Sequence, residues 1–258
     1  MIREYFALRR FLPAPWRFLR TRKDPMEGAH QDIPFRGGFS VRVRNRPMDR
    51  HIFHRIFARD EYRLAGVADG AWDTVFDVGA HIGLFSVRAA PLARRVLSFE
   101  PVAENFEMLS HNLSGARFSH VTPIRKAVAG RRGTMALYPS DNPSAHSMYP
   151  EHGPRAAPIQ VETLTLEDVF REYLVERCDL LKLDCEGAEY EILAAVPAEL
   201  WERILRIRME YHPVEGKNEW RVGKLRWELQ ERGYRCEVLP SKKSPDKGHL
   251  FAVRAGAP

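Results

Sequence analysis

The stretch DLLKLDCEGAEYEIL, residues 179 to 193, carries charge into an apolar run that reads as a buried central strand. Lys182 and Asp184 are two residues apart, so their side chains leave a strand on the same face. A buried charge without a partner is costly, so Lys182 is expected to pair with a carboxylate, and Asp184 is one candidate. Gly187 then permits a turn, with Glu186 at the approach to the next helix. One strand later MEYHP repeats the spacing with Glu210 and His212. Acids and an imidazole at one rim suit general acid–base chemistry, in which a positioned base contributes about 10²- to 10⁴-fold. The candidate catalytic residues are Asp184, Glu186 and His212. Asp184, kept ionised by Lys182, would orient a reacting group, and Glu186 or His212 would remove a proton. Carboxylates at Asp184, Glu186 and Glu210 could also bridge a hard cation, but nothing in the spacing requires a metal and none is expected. The same residues would equally serve as an ion-pair network that orients strand ends, with His212 packed on Pro213.

A ligand for this rim is indicated by VFDVGAHIGLFSVRAAPLARRVLSFEP, residues 75 to 101. Asp77 closes a first strand, Gly79 and Gly83 flank a turn into a helix, and a second strand ends at Glu100, twenty-one residues after Gly79. Ligands of parallel sheets sit beyond such strand ends. A dinucleotide site needs G-x-G-x-x-G, whose second glycine lets the backbone approach pyrophosphate. His81 stands there instead, and its side chain would crowd a diphosphate. Glu100 is placed to accept bonds from two ribose hydroxyls. A nucleoside without pyrophosphate therefore fits, and S-adenosylmethionine is the leading one. The quieter alternative is that Gly79 serves only a tight turn, Gly83 only packing, and Glu100 only a helix start.

The elements that must carry these residues follow from periodicity. From residue 74 short apolar runs alternate with helical segments, which predicts a largely parallel sheet with helices on both faces. Before it, residues 38 to 45 alternate as an edge strand and HIFHRIFARDEYRLAG reads as helical. VTPIRKAV is expected to lead into a hairpin around Gly133, and residues 139 to 158, with His146, Ser147 and Tyr149, form a long Pro- and Ser-rich lid or disordered stretch.

The 258 residues suffice for one sizeable core, at 44% hydrophobic and 29% charged. Residues 1 to 63 hold fifteen Lys and Arg against seven Asp and Glu, a balance of +8 that leaves the remainder at −2 within the net +6. This divides the chain into a basic lead-in, 1–63, with a short helix and edge strand, and a catalytic domain, 64–258. Three cysteines, Cys178, Cys185 and Cys236, lack metal-ligand spacing and suit a reducing compartment. No apolar run approaches the roughly 20 residues of a membrane span, so a cytoplasmic protein is expected. Residues 1 to 23 interleave aromatics with arginines, which fits either packing on the domain or a peripheral contact with an anionic membrane surface or acidic partner.

FDVGAHIGLFS, FEPVAENFEML, KAVAG, LTLEDV, LLKLDCEGAEYEIL, MEYHP and GHLFAVR occur in order from about residue 72 to 254. Together they resemble the FkbM family of S-adenosylmethionine-dependent methyltransferases. The resemblance implies an α/β class I (Rossmann-like) methyltransferase fold, with a seven-stranded mostly parallel sheet whose last strand is antiparallel. It implies O-methylation of a sugar, polyketide or related small molecule or glycoconjugate. It makes the first and fourth strands neighbours, so Asp77 becomes a second candidate partner for Lys182. The cofactor-binding set is then Asp77, Gly79, Ala80, His81 and Gly83 around the methionine part, Glu100 and Pro101 at the ribose, and Ala127 and Val128 at the adenine edge. His81 departs from the family pattern, which usually has asparagine there. A nucleic-acid methyltransferase is disfavoured, because DCEG replaces the N-P-P-Y-like tetrapeptide of base-amine enzymes and no RNA-binding module is recognisable. A non-enzymatic scaffold held at a membrane by residues 1 to 23 is the remaining rival.

Overall fold

The computed structural model describes residues 2–20, 29–138, 157–214, 221–242 and 244–258. Most of the expected lid, with His146, Ser147 and Tyr149, lies outside the described residues. The chain opens with α1 (Ile2–Leu8), α2 (Pro15–Arg20), β1 (His30–Phe35), β2 (Phe39–Arg44) and α3 (Pro47–Phe53), which runs into a π-helical turn over His54–Ala58. Then follow β3 (Trp72–Val78), α4 (Leu84–Ala89), β4 (Ala93–Phe99), α5 (Ala103–Asn112), β5 (Val121–Ile124), β6 (Ala127–Val128), β7 (Gly133–Leu137) and β8 (Ile159–Leu164). The last third comprises α6 (Leu166–Glu172), β9 (Leu180–Leu183), α7 (Glu189–Ala194), β10 (Arg206–Tyr211), α8 (Val222–Glu231), β11 (Tyr234–Pro240) and β12 (Gly248–Arg254).

Seven strands form one sheet in the order β11-β12-β10-β9-β3-β4-β5. β5, β4, β3, β9 and β10 are mutually parallel, and β12 runs antiparallel to both β10 and β11. This is the α/β class I methyltransferase topology. Alternation of side chains along each strand divides the core in two. Val75, Val96 and Leu180 pack on one face with Val87 of α4 and Leu109 of α5. Phe76, Leu97 and Leu181 pack on the other with Val169 of α6, Ile192 of α7 and Leu225 of α8.

The N-terminal quarter covers the first face. Leu8, Leu12, Phe18, Phe35, Val41, Phe53 and Phe57 join the cluster of Val75, while Phe6 and Trp16 stay exposed. The packing expected for residues 1 to 23 is therefore present among the described residues.

Within residues 38–45, Phe39–Arg44 form β2, an edge strand as expected, which pairs with β1 in a separate two-stranded hairpin. Two local expectations need correction. The helix expected through residue 66 ends near Ala58, because Asp60 accepts the N–H groups of Leu64 and Ala65 and turns the chain locally instead. No hairpin closes at Gly133, since β6 is parallel to β8 and β7 antiparallel to it, which puts β8 between them.

Gly79 adopts a φ of +75°, and a Cβ there would lie 2.0 Å from the backbone oxygen of Asp184. Gly83, at +85°, would place its Cβ 2.7 Å from Leu109 Cδ1, a side-chain end that can shift. Gly79→Ala is therefore expected to destabilise the protein by at least about 3 kcal/mol, well beyond Gly83→Ala. Urea denaturation of both variants checks the order, and equal midpoints would remove the argument from strand-end approach.

Candidate active site

Asp77 and Lys182 lie side by side in the β3–β9 register. The Lys182 ammonium is 3.0 Å from Asp77 Oδ1 and donates to the carbonyls of Gly79 and Val78 at 2.7 and 3.2 Å. Asp77 Oδ2 accepts the Ser86 hydroxyl at 2.6 Å. Of the two partners considered for Lys182, Asp77 is thus the direct one. Burial disfavours the charged lysine, but Asp77 and Asp184 outweigh it and raise the Lys182 pKa above its ordinary value.

The turn after β3 opens onto a cavity of about 320 Å³, which also reaches Asp184 and Glu186. Gly79, Ala80, His81, Glu100, Pro101, Ala127 and Val128 line it. The other two residues of the expected set lie behind the wall: Asp77 is covered by Lys182 and Ser86, and Gly83 packs on Leu109. The turn's N–H groups are already engaged. Gly79 and Ala80 donate to Phe99 O at 3.1 and 2.9 Å, and His81 donates to Glu100 Oε2 at 2.9 Å. A pyrophosphate would find none of those three donors free, which excludes a dinucleotide for a reason different from side-chain crowding. The His81 ring is drawn aside: Arg44 of β2 donates to its Nε2 at 2.6 Å and is clamped by Asp49 and Asn105. Burial, and Arg44 beside it, push the His81 pKa down to about 3 despite Asp49, so the ring is a neutral acceptor.

Glu100 Oε1 accepts the Val102 N–H at 2.9 Å and a longer bond from Asn105 Nδ2 at 3.4 Å, while Oε2, holding the His81 N–H, keeps a lone-pair direction for a hydroxyl. Apolar Val102, Ala127, Val128 and Leu137 line the same cavity. A carboxylate for a vicinal diol beside an apolar slot fits the ribose and adenine of S-adenosylmethionine. The carboxylates farther along the rim suit its positive methionine end.

That rim gathers all three expected catalytic residues. Tyr62 donates to Asp184 Oδ2 at 2.8 Å. Burial raises the Asp184 pKa, but Lys182, His212 and Arg55 outweigh it and hold the carboxyl below its ordinary value. Glu186, at a φ of +52°, sits in a turn held by Glu189, which accepts the N–H groups of Cys185 and Gly187 at 2.8 Å each. Burial and the nearby Asp184, Glu189 and Glu210 push the Glu186 pKa up to about 7 in spite of His212. His212 Nδ1 is 3.2 Å from Glu189 and Nε2 3.5 Å from Glu186. Burial alone would lower its pKa, but Glu189, Glu186 and Asp184 lift it to about 10, which makes it an imidazolium at neutral pH.

Asp184, Glu210 and His212 also bring ligand-type atoms within 4.8 Å of one another. Arg55 binds Glu210 at 2.5 Å and pairs with Glu61, so side chains of this protein already neutralise part of that cluster. Arg44, Asp49, Arg55, Glu61 and Tyr62 were not among the residues expected from the sequence, nor was Glu189. Only Glu189 carried a local signal, an acid two residues past the turn glycine at a helix start.

Glu100→Ala is expected to weaken S-adenosylhomocysteine binding by roughly 10- to 150-fold, since a hydrogen bond to a charged group contributes about 1.5–3 kcal/mol. Calorimetric titration of the folded variant checks this, and unchanged affinity would take Glu100 out of the cofactor site.

The family described as "Methyltransferase FkbM domain" matches residues 77–236. Methyltransferase sdnD of Sordaria araneosa is 31% identical over 240 residues, covering 79% of this chain and 88% of its own. The 31-O-demethyl-FK506 methyltransferase FkbM of Streptomyces tacrolimicus is 27% identical over 205 residues, covering 64% and 75%. The crystal structure of methyltransferase FkbM from Methylobacillus flagellatus KT superimposes with a TM-score of 0.47 at 13% identity, covering 79% of this chain and 53% of that one. By the family match across the strands that build the site, the chain belongs to the FkbM methyltransferases, whose methyl donor is S-adenosylmethionine.

Proposed function

We propose that this protein methylates a hydroxyl of a sugar, polyketide or related small molecule or glycoconjugate, with Glu186 as the group that takes the proton. S-adenosylmethionine supplies a methyl group on a sulfonium that leaves as a neutral thioether, so the donor needs little activation. The hydroxyl needs it, because a protonated alcohol is a poor nucleophile. The observation that carries the reading is a carboxylate with a pKa near 7 on the cavity wall, two residues from one held ionised. A base works best when its pKa lies near the working pH. Asp184, weaker as a base, orients the acceptor with Tyr62. His212, being cationic, is a positioning group for the Glu186 and Glu189 carboxylates rather than the base. The name of the Streptomyces relative, with its 31-O-demethyl acceptor, supports oxygen as the methylated atom.

Glu186 must be ionised to act, so turnover should rise with pH and level off above about 7. Glu186→Gln should remove that rise and lower turnover by at least about 100-fold with little change in cofactor affinity. It should also raise the melting temperature at pH 8, where the native carboxylate is charged and buried. Asp184→Asn should likewise act on turnover more than on binding. Chelation should leave the rate unchanged; a loss restored by Mg²⁺ would instead make Asp184 and Glu210 metal ligands. A pH profile identical in wild type and Glu186→Gln would transfer the base role elsewhere.

We further propose a peripheral contact through residues 1 to 23. Among the described residues no helix is long and apolar enough to cross a membrane. Ile2, Phe6 and Trp16 are nonetheless exposed, and Arg17 and Arg20 both lie over the Trp16 ring. Such a mixture suits an anionic surface. Co-sedimentation with phosphatidylserine-containing vesicles should fall on Phe6→Ser with Trp16→Ser and with added salt. Equal sedimentation of variant and wild type would end this part of the reading.

A further inference from the structure

A second cavity, of about 260 Å³, lies at the opposite end of α4 from the cofactor turn and shares no lining residue with the first. Four guanidinium groups reach it, from Arg10, Arg36, Arg88 and Arg117, between phenylalanines that include Phe35 and Phe57. Among the described residues no carboxylate lines it.

Arg10, Arg36 and Arg117 are exposed, and none of them forms an ion pair among the described residues. Arg36 donates to Arg9 O and Arg117 to Gly37 O, both at 2.9 Å, and Arg117 also lies over the Phe39 ring. Arg88 is different, being 8% exposed. Its Nε has no hydrogen-bond partner, and its guanidinium rests over Phe11, with ring centre and Cζ 4.9 Å apart. The nearest carboxylate, Asp60, is 3.9 Å away and already accepts two backbone N–H groups. Burial, and Arg10 nearby, lower the Arg88 pKa despite Asp60 and Asp69.

A buried cation this poorly compensated is a stability liability, and an apolar side chain of similar length would fill the space without it. An anion entering between the arginines would relieve their mutual repulsion and lower the cost of burying the Arg88 charge, although Arg88 Nε itself is covered by protein. The aromatic walls require that it carry an apolar body. At about 30 Å³ of liquid volume per water, the cavity has room for roughly eight or nine waters, too little for a two-chain lipid.

We propose that this cavity is a second ligand site, separate from the methyl-transfer site, which takes a small soluble phosphate or carboxylate borne on an aromatic or compact apolar group.

Phenyl phosphate titrated calorimetrically into protein saturated with S-adenosylhomocysteine tests it, because the first cavity is then filled. One equivalent should bind, Arg88→Met and Arg117→Met should each weaken it at least tenfold, and inorganic phosphate should bind at least tenfold more weakly. Arg88→Met without ligand should melt at or above the wild-type temperature. If that variant fails to fold, a fixed structural role for Arg88 is shown and the argument from its poorly compensated charge fails. Arg117→Met, on the exposed rim, then still reads the ligand. The proposal is overturned by absence of binding up to about 10 mM, by affinity unchanged in Arg88→Met and Arg117→Met, or by inorganic phosphate matching phenyl phosphate. Displacement of S-adenosylhomocysteine by phenyl phosphate would place the probe in the first cavity and overturn it as well.

Discussion

Asp77 and Lys182 meet at 3.0 Å across the two central strands, β3 and β9, with almost no exposure of either. Taking both charges out of water costs several kcal/mol per ion, and only good geometry with further hydrogen bonds offsets that. Here the further bonds are the Ser86 hydroxyl on one side and two carbonyls of the first turn on the other. The pair therefore does more than neutralise itself. Through Gly79 O its Lys182 pins the turn that faces the first cavity, and the lysine charge helps keep Asp184 ionised. Removing one partner would leave an uncompensated charge in the sheet, a loss of about 3–5 kcal/mol. Turn shape and rim electrostatics have one common support.

The two acids beyond β9 show how far surroundings can separate chemically similar groups. Asp184 lies near Lys182 and takes a hydrogen bond from Tyr62, so its charged form is favoured. Glu186, two residues on, is buried among other carboxylates and its neutral form is favoured up to about pH 7. Glu189 underlies both arrangements, since it shapes the turn that aims Glu186 and charges the imidazole that faces it. Paired groups pushed in opposite directions are a common way to obtain a fixed charge and a proton acceptor in one site.

What could be read from the sequence was what is local to a strand and the turn after it. The Gly79 to Glu100 unit and the DCEG turn are such units, while their meeting at one rim followed from the family resemblance, which makes the first and fourth strands neighbours. The partner of Lys182 stayed ambiguous because strand register is a tertiary fact; Asp77 stands beside it only once β3 and β9 are aligned. Arg44, Arg55 and Tyr62 left no trace at all. Tyr62 meets Asp184 over 122 residues of sequence and Arg55 meets Glu210 over 155, with no periodic pattern tying them. The hairpin at Gly133 was misread for a related reason, since the strand that pairs there arrives only at Ile159.

That last pairing bears on how such an enzyme could change its diet. Leu137 lines the first cavity and is the antiparallel neighbour of Ile159, so two positions far apart in sequence meet at one point beside the site. The β7–β8 ladder is set by its own backbone pairing and not by the number of residues between the strands. For any closed loop, doubling the length adds only about 0.6 kcal/mol of closure entropy. Selection could therefore lengthen, shorten or rewrite the sequence between these strands at little risk to the sheet or the buried ion pair. A lineage holding its chemistry constant would have there a replaceable part with which to explore new acceptors.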